Sequence, residues 1–251
     1  MTNVLLSGCF GKMCITVANV ISGKDDMQVI AGVDMCRDLT AAFPTYTNFG
    51  EVKEKPDVII DFSDPSNLSD LLDFAKAGGI PAVIATTGYT DEQLEEIKAA
   101  SKIIPIFFTF NMSLGVNVLV SLAKSAAKIL GDDFDIEIIE KHHNQKIDAP
   151  SGTAIMLANA VNSVFSGEKE YEYDRHTKRE KRKKSEIGMH SVRGGTIVGE
   201  HDVIFAGNDE VITLSHTAQS KALFASGAVK AAAFLAGKPA GMYDMQMMLD
   251  M

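Results

Sequence analysis

The segment Val4-Leu5-Leu6-Ser7-Gly8-Cys9-Phe10-Gly11-Lys12-Met13 decides the fold of the first part of this chain. Residues 4–7 form a short apolar strand, and an apolar run of helical period follows at residues 15–21. A strand, a Gly-x-x-Gly turn and a helix indicate a dinucleotide-binding unit, because glycines let the backbone approach a pyrophosphate at the helix N-terminus. Two glycines alone are a weak signal, since many strand–helix turns contain glycine only for the turn.

Asp34 strengthens this prediction. It ends a second predicted strand, residues 27–34, where an acid roughly 20 residues beyond the glycines meets ribose hydroxyls. The alternative is that its carboxylate only caps the next turn. Strands at 58–62, 81–86 and 103–108 alternate with helices at 65–78 and 91–102, which predicts a parallel sheet with its ligand at the carboxyl ends of the strands. The loops at 8–13, 62–63, 86–88 and 110–112 all fall there.

A second informative segment is Glu137-Ile-Ile-Glu-Lys-His-His-Asn-Gln-Lys-Ile-Asp-Ala-Pro-Ser-Gly-Thr-Ala154. It begins as a strand, and His142, His143 and Lys146 follow within five residues. Residues 151–153 then start an alanine-rich helix. Imidazoles, an ammonium and free N–H groups at a helix start suit an acidic small molecule that is held and protonated. The alternatives are a polar surface patch of histidines, a simple helix cap, and a structural metal site that lacks a complete ligand set.

The whole-chain composition narrows the function. The chain has 251 residues, 46% of them hydrophobic, and a formal net charge of -9, which argues against a general nucleic-acid binder. The N-terminal residues do not resemble a signal peptide, and no apolar run approaches the roughly 20 residues that span a bilayer. Three cysteines within the first 36 residues form no disulfide framework. We therefore expect a cytoplasmic protein without a membrane or nucleic-acid partner.

The second half of the sequence predicts a mixed or antiparallel sheet. A long apolar helix at 116–130 leads into strands at 134–140, 185–192, 199–206 and 210–218. The basic cluster at 175–184 is interpreted as a solvated loop, although it could add positive potential towards an anionic ligand. An alanine-rich helix at 226–236 precedes a methionine-rich tail at 241–251, whose methionines are expected to fill the core or an interface.

These residues resemble the 4-hydroxy-tetrahydrodipicolinate reductase (dihydrodipicolinate reductase) family over essentially the whole chain. The most specific part is Glu140-Lys-His-His-Asn-Gln-Lys-Ile-Asp-Ala-Pro-Ser-Gly-Thr-Ala154. Weaker matches are Gly8-x-x-Gly11-Lys12-Met13, Thr86-Thr87-Gly88, Asn111–Asn117, Val192-Arg-Gly-Gly195, Val198-Gly-Glu-His201 and Phe224-Ala-Ser-Gly-Ala228.

The resemblance implies an α/β fold: a Rossmann-like parallel-sheet domain (residues 1–112 and 223–251) and a smaller α+β domain (113–222) that binds substrate and forms a homotetramer. It implies NADH- or NADPH-dependent reduction of a cyclic dicarboxylate in lysine and diaminopimelate synthesis. His142 and Lys146 match the proton-donor positions, and the carboxylate-binding set is His143, Lys146, Ser151, Gly152 and Thr153. The cofactor-binding residues implied are Gly8, Phe10, Gly11, Lys12, Met13, Asp34, Phe62, Ala85, Thr86, Thr87, Phe110 and Met112.

Three residues depart from the family pattern. Cys14 replaces a third glycine and is expected to crowd helix–strand packing, and Ala85 replaces a glycine before Thr86. Met35 follows Asp34 where NADPH-using members often have arginine, which weakly favours NADH, because a 2′-phosphate would face an uncompensated carboxylate. Lys12 and Arg37 could partly compensate, so use of both nucleotides stays open.

Other functions are compatible with parts of the sequence. A semialdehyde dehydrogenase would need a cysteine nucleophile beyond the dinucleotide domain, and no cysteine follows Cys36. An NAD(H)-binding sensor without turnover explains the glycine loop but not the segment from His142 to Thr153. A family member with drifted chemistry would act on a related cyclic imine or acid.

Overall fold

The computed structural model describes residues 1–36 and 41–249. The chain forms two compact units, Met1–Leu114 together with Ala222–Met251, and Gly115–Lys221. The first unit contains a seven-stranded sheet in which every neighbouring pair of strands is parallel. The predicted Rossmann-like architecture is confirmed.

The strands of this sheet are β1 (Thr2–Ser7), β2 (Met27–Val33), β3 (Thr45–Tyr46), β4 (Val58–Asp61), β5 (Ala82–Ile84), β6 (Pro105–Phe108) and β12 (Gly241–Tyr243), and their order across the sheet is β12-β6-β5-β4-β1-β2-β3. The helices of the unit are α1 (Lys12–Ser22), α2 (Leu68–Gly78), α3 (Asp91–Ser101), α6 (Ala222–Leu235) and α7 (Met245–Leu249), with short 3₁₀ turns at Phe49–Glu51 and Pro65–Asn67.

The alternation of side chains along buried strands gives this unit two cores. On β1, Val4 and Leu6 pack with α1 and α6 on one face of the sheet, whereas Leu5 packs with α2 and α3 on the other. Both faces are covered, which is why the strands are apolar without interruption. Thr90 caps α3 through a capping box with Gln93, as its position before an acidic helix start predicts.

Two features of this unit were not predicted. The two-residue strand β3 is too short to give a period-2 signal. The methionine-rich tail forms β12 beside β6, followed by α7, and only Met245 of that helix is buried. Residues 241–243 have no clear strand pattern in the sequence, and they become the seventh strand because they pair with β6.

The second unit contains a five-stranded mixed sheet. Its strands are β7 (Asp135–His142), β8 (Glu170–Glu172), β9 (Glu186–Arg193), β10 (Gly199–Ala206) and β11 (Val211–Ala218), in the order β11-β10-β7-β9-β8. Its helices are α4 (Leu114–Leu130) and α5 (Gly152–Asn162), with 3₁₀ turns at Gly131–Asp133 and Ser163–Phe165. Strand β10 is antiparallel to β7 and β11, whereas β9 is parallel to β7 and β8. The mixed sheet was predicted; β8 was not.

Helices α4 and α5 pack on one face of this sheet. Alternate residues of β7 point towards them, so Ile136 and Ile138 are buried while their neighbours are partly exposed. By length and composition Leu114–Asp133 could cross a membrane, contrary to the expectation from sequence. This is weak evidence for a span, because α4 carries Lys124 and Lys128 and buries one face against the core.

The basic segment at 175–184 is only in part a solvated loop. The Arg182 guanidinium donates to the carboxylates of Asp135 and Glu137, both at 2.8 Å, and Arg175 donates to Glu186 at 2.9 Å. The interpretation from sequence missed these partners, because the acids lie on strands up to 47 residues away. The two arginines tie the loop to the sheet and so supply little free positive potential.

Candidate active site

A cavity of about 680 Å³ opens at the carboxyl ends of strands β1, β2 and β4 in the first unit. This is the edge where parallel α/β sheets bind ligands. Five predicted cofactor-binding residues line the cavity: Gly8, Phe10, Gly11, Asp34 and Phe62.

The glycine loop has the geometry of a phosphate cradle. Gly8 has φ of +79°, and a Cβ there would lie 2.8 Å from the carbonyl oxygen of Phe62, so no other residue fits. Gly11 precedes α1, and within the described residues no side chain caps this helix and no acid stands in its first turn. The helix start is therefore available to an anion, and the loop fits a dinucleotide.

Cys14 does not disturb this arrangement. Its side chain is fully buried, and its thiol donates to the carbonyl oxygen of Ser7 at 3.2 Å. Burial raises the pKa of the thiol, so Cys14 stays protonated and packs as a small apolar residue. The crowding expected from sequence is absorbed by the thiol contact with β1, and α1 still begins directly after the glycines.

The Asp34 carboxylate faces the cavity and also organises the loops around it. It accepts hydrogen bonds from the backbone N–H of Phe10 at 2.9 Å and of Met35 at 2.8 Å. Asp64 and Asp70 line the same cavity, and its described lining contains neither lysine nor arginine. Arg37, one of the two cations considered from sequence, lies outside the described residues.

The other predicted cofactor residues are distributed differently. Thr86, Thr87 and Phe110 line a second, smaller cavity of about 90 Å³. Ala85, Met112, Lys12 and Met13 are not among the lining residues of either cavity, and Met112 is buried in the core.

Asp61, at the end of β4, holds two of the loops in place. It accepts hydrogen bonds from the hydroxyls of Thr86 at 2.7 Å and Ser63 at 2.6 Å. Burial raises the pKa of this carboxyl group, although the hydroxyl donors oppose the shift. The hydroxyl of Thr86 is therefore bonded to Asp61, and this contact fixes the backbone of the loop that carries Thr86.

In the second unit, His142 is the last residue of β7 and is 9% exposed. Its Nδ1 lies 2.5 Å from a carboxylate oxygen of Glu140. Its Nε2 points towards Gly199 on β10, where a Cβ would lie 3.1 Å away. Glycine at this position leaves one ring nitrogen of the imidazole without a side chain pressed against it.

The start of α5 lies beside this histidine. Ser151 caps the helix by accepting from the N–H of Ala154 at 3.2 Å, and its hydroxyl also lies 3.1 Å from Nε2 of His201. The rings of His201 and His142 are 5.2 Å apart. Around Gly152 a Cβ would meet nothing within 4 Å, so the first turn of the helix borders open space that an anion can enter.

Lys146 follows in the loop between β7 and α5. Its ammonium group forms an ion pair with Asp148 at 2.8 Å, and this contact lowers the pKa of the Asp148 carboxyl group. His143 is partly exposed in the same loop. The predicted substrate-side residues thus lie at the end of β7, in the loop that follows it, and at the start of α5.

Sequence reasoning missed three residues that contact this group: Glu140, Arg193 and His201. Glu140 could have been found, because residues two apart on a strand share a face and it stands two positions before His142. Arg193 and His201 come from β9 and β10, and their approach depends on strand pairing. The described residues contain no group of three His, Cys, Asp or Glu side chains that could hold a metal ion.

Solved structures with a similar fold include dehydrogenases and other oxidoreductases. A probable dehydrogenase from Thermotoga maritima superposes with a TM-score of 0.62 over 98% of this chain and 92% of that chain, at 12% identity. An oxidoreductase from Agrobacterium radiobacter, solved with NAD+, L-tartaric acid and magnesium, gives a TM-score of 0.53 over 93% and 87%. These two structures show the fold alone; the class of the protein, a nicotinamide-nucleotide-dependent oxidoreductase, follows from the relatives of higher identity described next.

The chain belongs to the dihydrodipicolinate reductase family, as the sequence predicted: residues 2–112 match the model of its N-terminus and residues 115–249 that of its C-terminus. A 4-hydroxy-tetrahydrodipicolinate reductase from Caldanaerobacter subterraneus is 54% identical over 98% of this chain and 97% of that protein. The Clostridium tetani protein of the same name is 48% identical over 100% and 98%. The dipicolinate-bound reductase of Paenisporosarcina has a TM-score of 0.81 at 25% identity, over 97% of both chains.

Proposed function

We propose that this chain reduces 4-hydroxy-tetrahydrodipicolinate to tetrahydrodipicolinate with NADH or NADPH, in lysine and diaminopimelate synthesis. The observation that carries the proposal is the succession of His142 at the end of β7, Lys146 in the loop after it and the start of α5, in a chain from this family. The reaction consumes one hydride and one proton and releases one water. When bound, the reduced nicotinamide supplies the hydride.

The substrate-side residues divide the remaining work. The N–H groups at Gly152 and Thr153 hold one substrate carboxylate, aided by the dipole of α5. The ammonium group of Lys146 lies near the doubly negative substrate, and it replaces its ion pair with Asp148 by one with a substrate carboxylate. His142 delivers the proton through Nε2, the nitrogen that faces Gly199 rather than Glu140.

Ser151 serves mainly as the cap that keeps this anion site open. It is 2% exposed, and its hydroxyl is engaged with Ala154 and His201. We infer that the predicted carboxylate contact at this position comes chiefly from the backbone. His143, which is partly exposed, contributes charge or a hydrogen bond at the edge of the site.

On the cofactor side we propose a preference for NADH. Asp34, Asp64 and Asp70 place three carboxylates around the large cavity, and no lysine or arginine balances them within its described lining. A 2′-phosphate would add about two negative charges to that environment.

We also propose that the protein is a cytoplasmic homotetramer that uses the second sheet as its interface. Helices α4 and α5 cover only one face of that sheet, and the other face carries the partly exposed apolar residues Ile139 and Ile204. Light scattering coupled to size-exclusion chromatography tests this: a mass near four times 27.1 kDa supports it, and a monomer contradicts it.

A coupled assay tests the activity. Freshly generated 4-hydroxy-tetrahydrodipicolinate is mixed with NADH or NADPH, and loss of the reduced nicotinamide absorbance is followed. We expect turnover by the wild type and a fall in kcat of roughly 100- to 10,000-fold for His142→Gln, with nucleotide binding retained. Tight nucleotide binding by the wild type without turnover would instead favour a sensor that only binds NAD(H).

A matched control is His190→Gln. His190 also contacts a glutamate of β7, Glu137, at 2.7 Å, but on the opposite face of the sheet. This variant should keep wild-type turnover. An equal loss in both variants would mean that the effect comes from the sheet rather than from the proposed proton donor.

A further inference from the structure

Glu140 is fully buried at the centre of the substrate-side group, although neither the sequence motif nor the proposed mechanism gives it a role. Its two carboxylate oxygens contact three different elements. Oε2 lies 2.5 Å from Nδ1 of His142 and accepts from Nη1 of Arg193 at 2.8 Å, whereas Oε1 accepts from Nη2 of Arg193 at 2.7 Å and from the backbone N–H of Ser151 at 3.2 Å. A buried carboxylate with so many donors is ionised and immobile.

Arg193 compensates the buried charge. Arg193 lies opposite His142 in the parallel pairing of β7 with β9. Its guanidinium donates two parallel hydrogen bonds to the carboxylate of Glu140. The same guanidinium donates to the carbonyl oxygen of Asp148 at 2.5 Å. The pair therefore ties the end of β7 to the loop that carries Lys146.

The chemistry of the carboxylate agrees with this geometry. Burial raises the pKa of Glu140, but hydrogen bonds from Arg193, His142 and Ser191 outweigh it and bring the pKa to about 2. Glu140 is thus an anion throughout the pH range in which an imidazole titrates. An anion at Nδ1 accepts a proton there, which leaves Nε2 as the nitrogen that exchanges its proton with a ligand.

We propose that Glu140, held by Arg193, is the positioning residue of the reductase site: it fixes the proton on Nδ1 of His142, orients the imidazole ring, and holds the first turn of α5 beside it. This inference rests on the proposed function. One carboxylate aligns both the proton donor and the anion site, because its Oε2 contacts His142 while its Oε1 accepts from the backbone N–H of Ser151.

Several charged or titratable groups surround His142. Glu140 contacts its Nδ1, and Arg193 on β9 lies on the far side of that carboxylate. On β10, burial and the neighbouring His142 lower the pKa of His201 to about 4, so His201 is neutral and adds no repulsion near neutral pH. In the loop, Lys146 and Asp148 form their own ion pair, and His216 on β11 stands beyond His201, with its pKa lowered by burial.

The test is the pH profile of kcat/KM for Glu140→Gln. Replacing the carboxylate by a neutral amide of the same shape removes the negative charge beside the proposed proton donor, so the alkaline limb of the profile should move down by roughly one pH unit or more. The affinity for dipicolinate, used as a non-reacting dicarboxylate, should fall as well, while NADH affinity is unchanged.

Glu137→Gln is the matched control. Glu137 lies on the same strand, and its carboxylate is likewise paired with an arginine and a histidine, Arg182 at 2.8 Å and His190 at 2.7 Å, but on the other face of the sheet. Its pH profile should coincide with that of the wild type. The proposal is wrong if the alkaline limb moves equally in Glu140→Gln and Glu137→Gln. It is also wrong if the alkaline limb of Glu140→Gln coincides with that of the wild type.

A second variant covers the case in which Glu140→Gln does not fold, because Arg193 would be left without its counter-ion. Glu140→Asp keeps the charge but withdraws the carboxylate by one methylene group, so the alkaline limb should again move down. An unchanged limb in this variant would overturn the proposal. An inactive wild type would contradict the proposed function itself, so the two failures are distinguishable.

Discussion

The Asp34 carboxylate accepts a 2.9 Å hydrogen bond from the backbone N–H of Phe10, although 24 residues separate them in the chain. The contact joins the end of β2 to the glycine loop that follows β1. The acid expected to read the ribose therefore also fixes the loop expected to hold the pyrophosphate. The two alternatives for Asp34, turn cap and cavity residue, are compatible, because its oxygens have more acceptor sites than the two backbone N–H groups occupy.

Asp34→Asn tests the nucleotide preference. The wild type should use NADH with a higher kcat/KM than NADPH, by roughly tenfold or more, because a 2′-phosphate meets the carboxylate. The variant should lose affinity for NADH and narrow the ratio between the two nucleotides, as parallel steady-state assays measure.

Asp57→Asn is the control for this change. The Asp57 carboxylate also accepts a backbone N–H, that of Asn3 at 2.7 Å, but at the opposite, amino-terminal edge of the strands. It should leave the ratio unchanged. An unaltered ratio in Asp34→Asn would contradict the assigned role of the cavity acid.

Lys146→Ala should weaken dicarboxylate binding by roughly 10- to 150-fold, as expected when a charged hydrogen bond is removed. Calorimetric titration with dipicolinate measures this. Lys141→Ala is the control, because Lys141 of β7 forms an ion pair with Glu200 of β10 at 2.9 Å. Equal affinities of the wild type and Lys146→Ala would remove Lys146 from the binding set.

His201 makes the second unit sensitive to acid. Burial, followed by the neighbouring His142, lowers its pKa from 6.5 to about 4, so between these values the unfolded chain binds a proton that the folded chain does not. The stabilisation is fully present above about pH 6.5 and is lost as the pH falls to about 4, a difference of at most roughly 3 kcal/mol. Urea unfolding at pH 7.5 and 4.5 measures it.

His201→Gln should flatten this dependence, because glutamine keeps an amide donor towards Ser151 and does not titrate. His176→Gln, on an exposed loop, should keep the wild-type slope. The same acid-induced loss of stability in His201→Gln would show that other groups cause it.

Gly227→Ala should destabilise the first unit by about 3 kcal/mol or more, because a Cβ on α6 would lie 1.7 Å from the backbone oxygen of Met112. Gly23→Ala is the matched control, since its nearest atom would be 3.8 Å away. It should cost less than about 1 kcal/mol. Denaturant midpoints compare the two, and similar midpoints would contradict the close packing of α6.

Local patterns in the sequence determined the elements and the fold class. The strand, glycine turn and helix at the N-terminus require only neighbours in the chain, and the alternation of strands and helices makes the parallel sheet the favoured solution. The segment from His142 to Thr153 is likewise contiguous, so the order of residues along the chain was enough to place its histidines, lysine and helix start together.

Tertiary structure alone decided what surrounds those residues. Arg193 lies 53 residues from Glu140 and His201 lies 50 from Ser151, and they meet because β9 and β10 pair with β7 in one register. A shift of one residue would turn each side chain to the other face. That register follows from burying Ile136, Ile138, Val203 and Phe205 together under α4 and α5, a property of the whole sheet that no single segment contains.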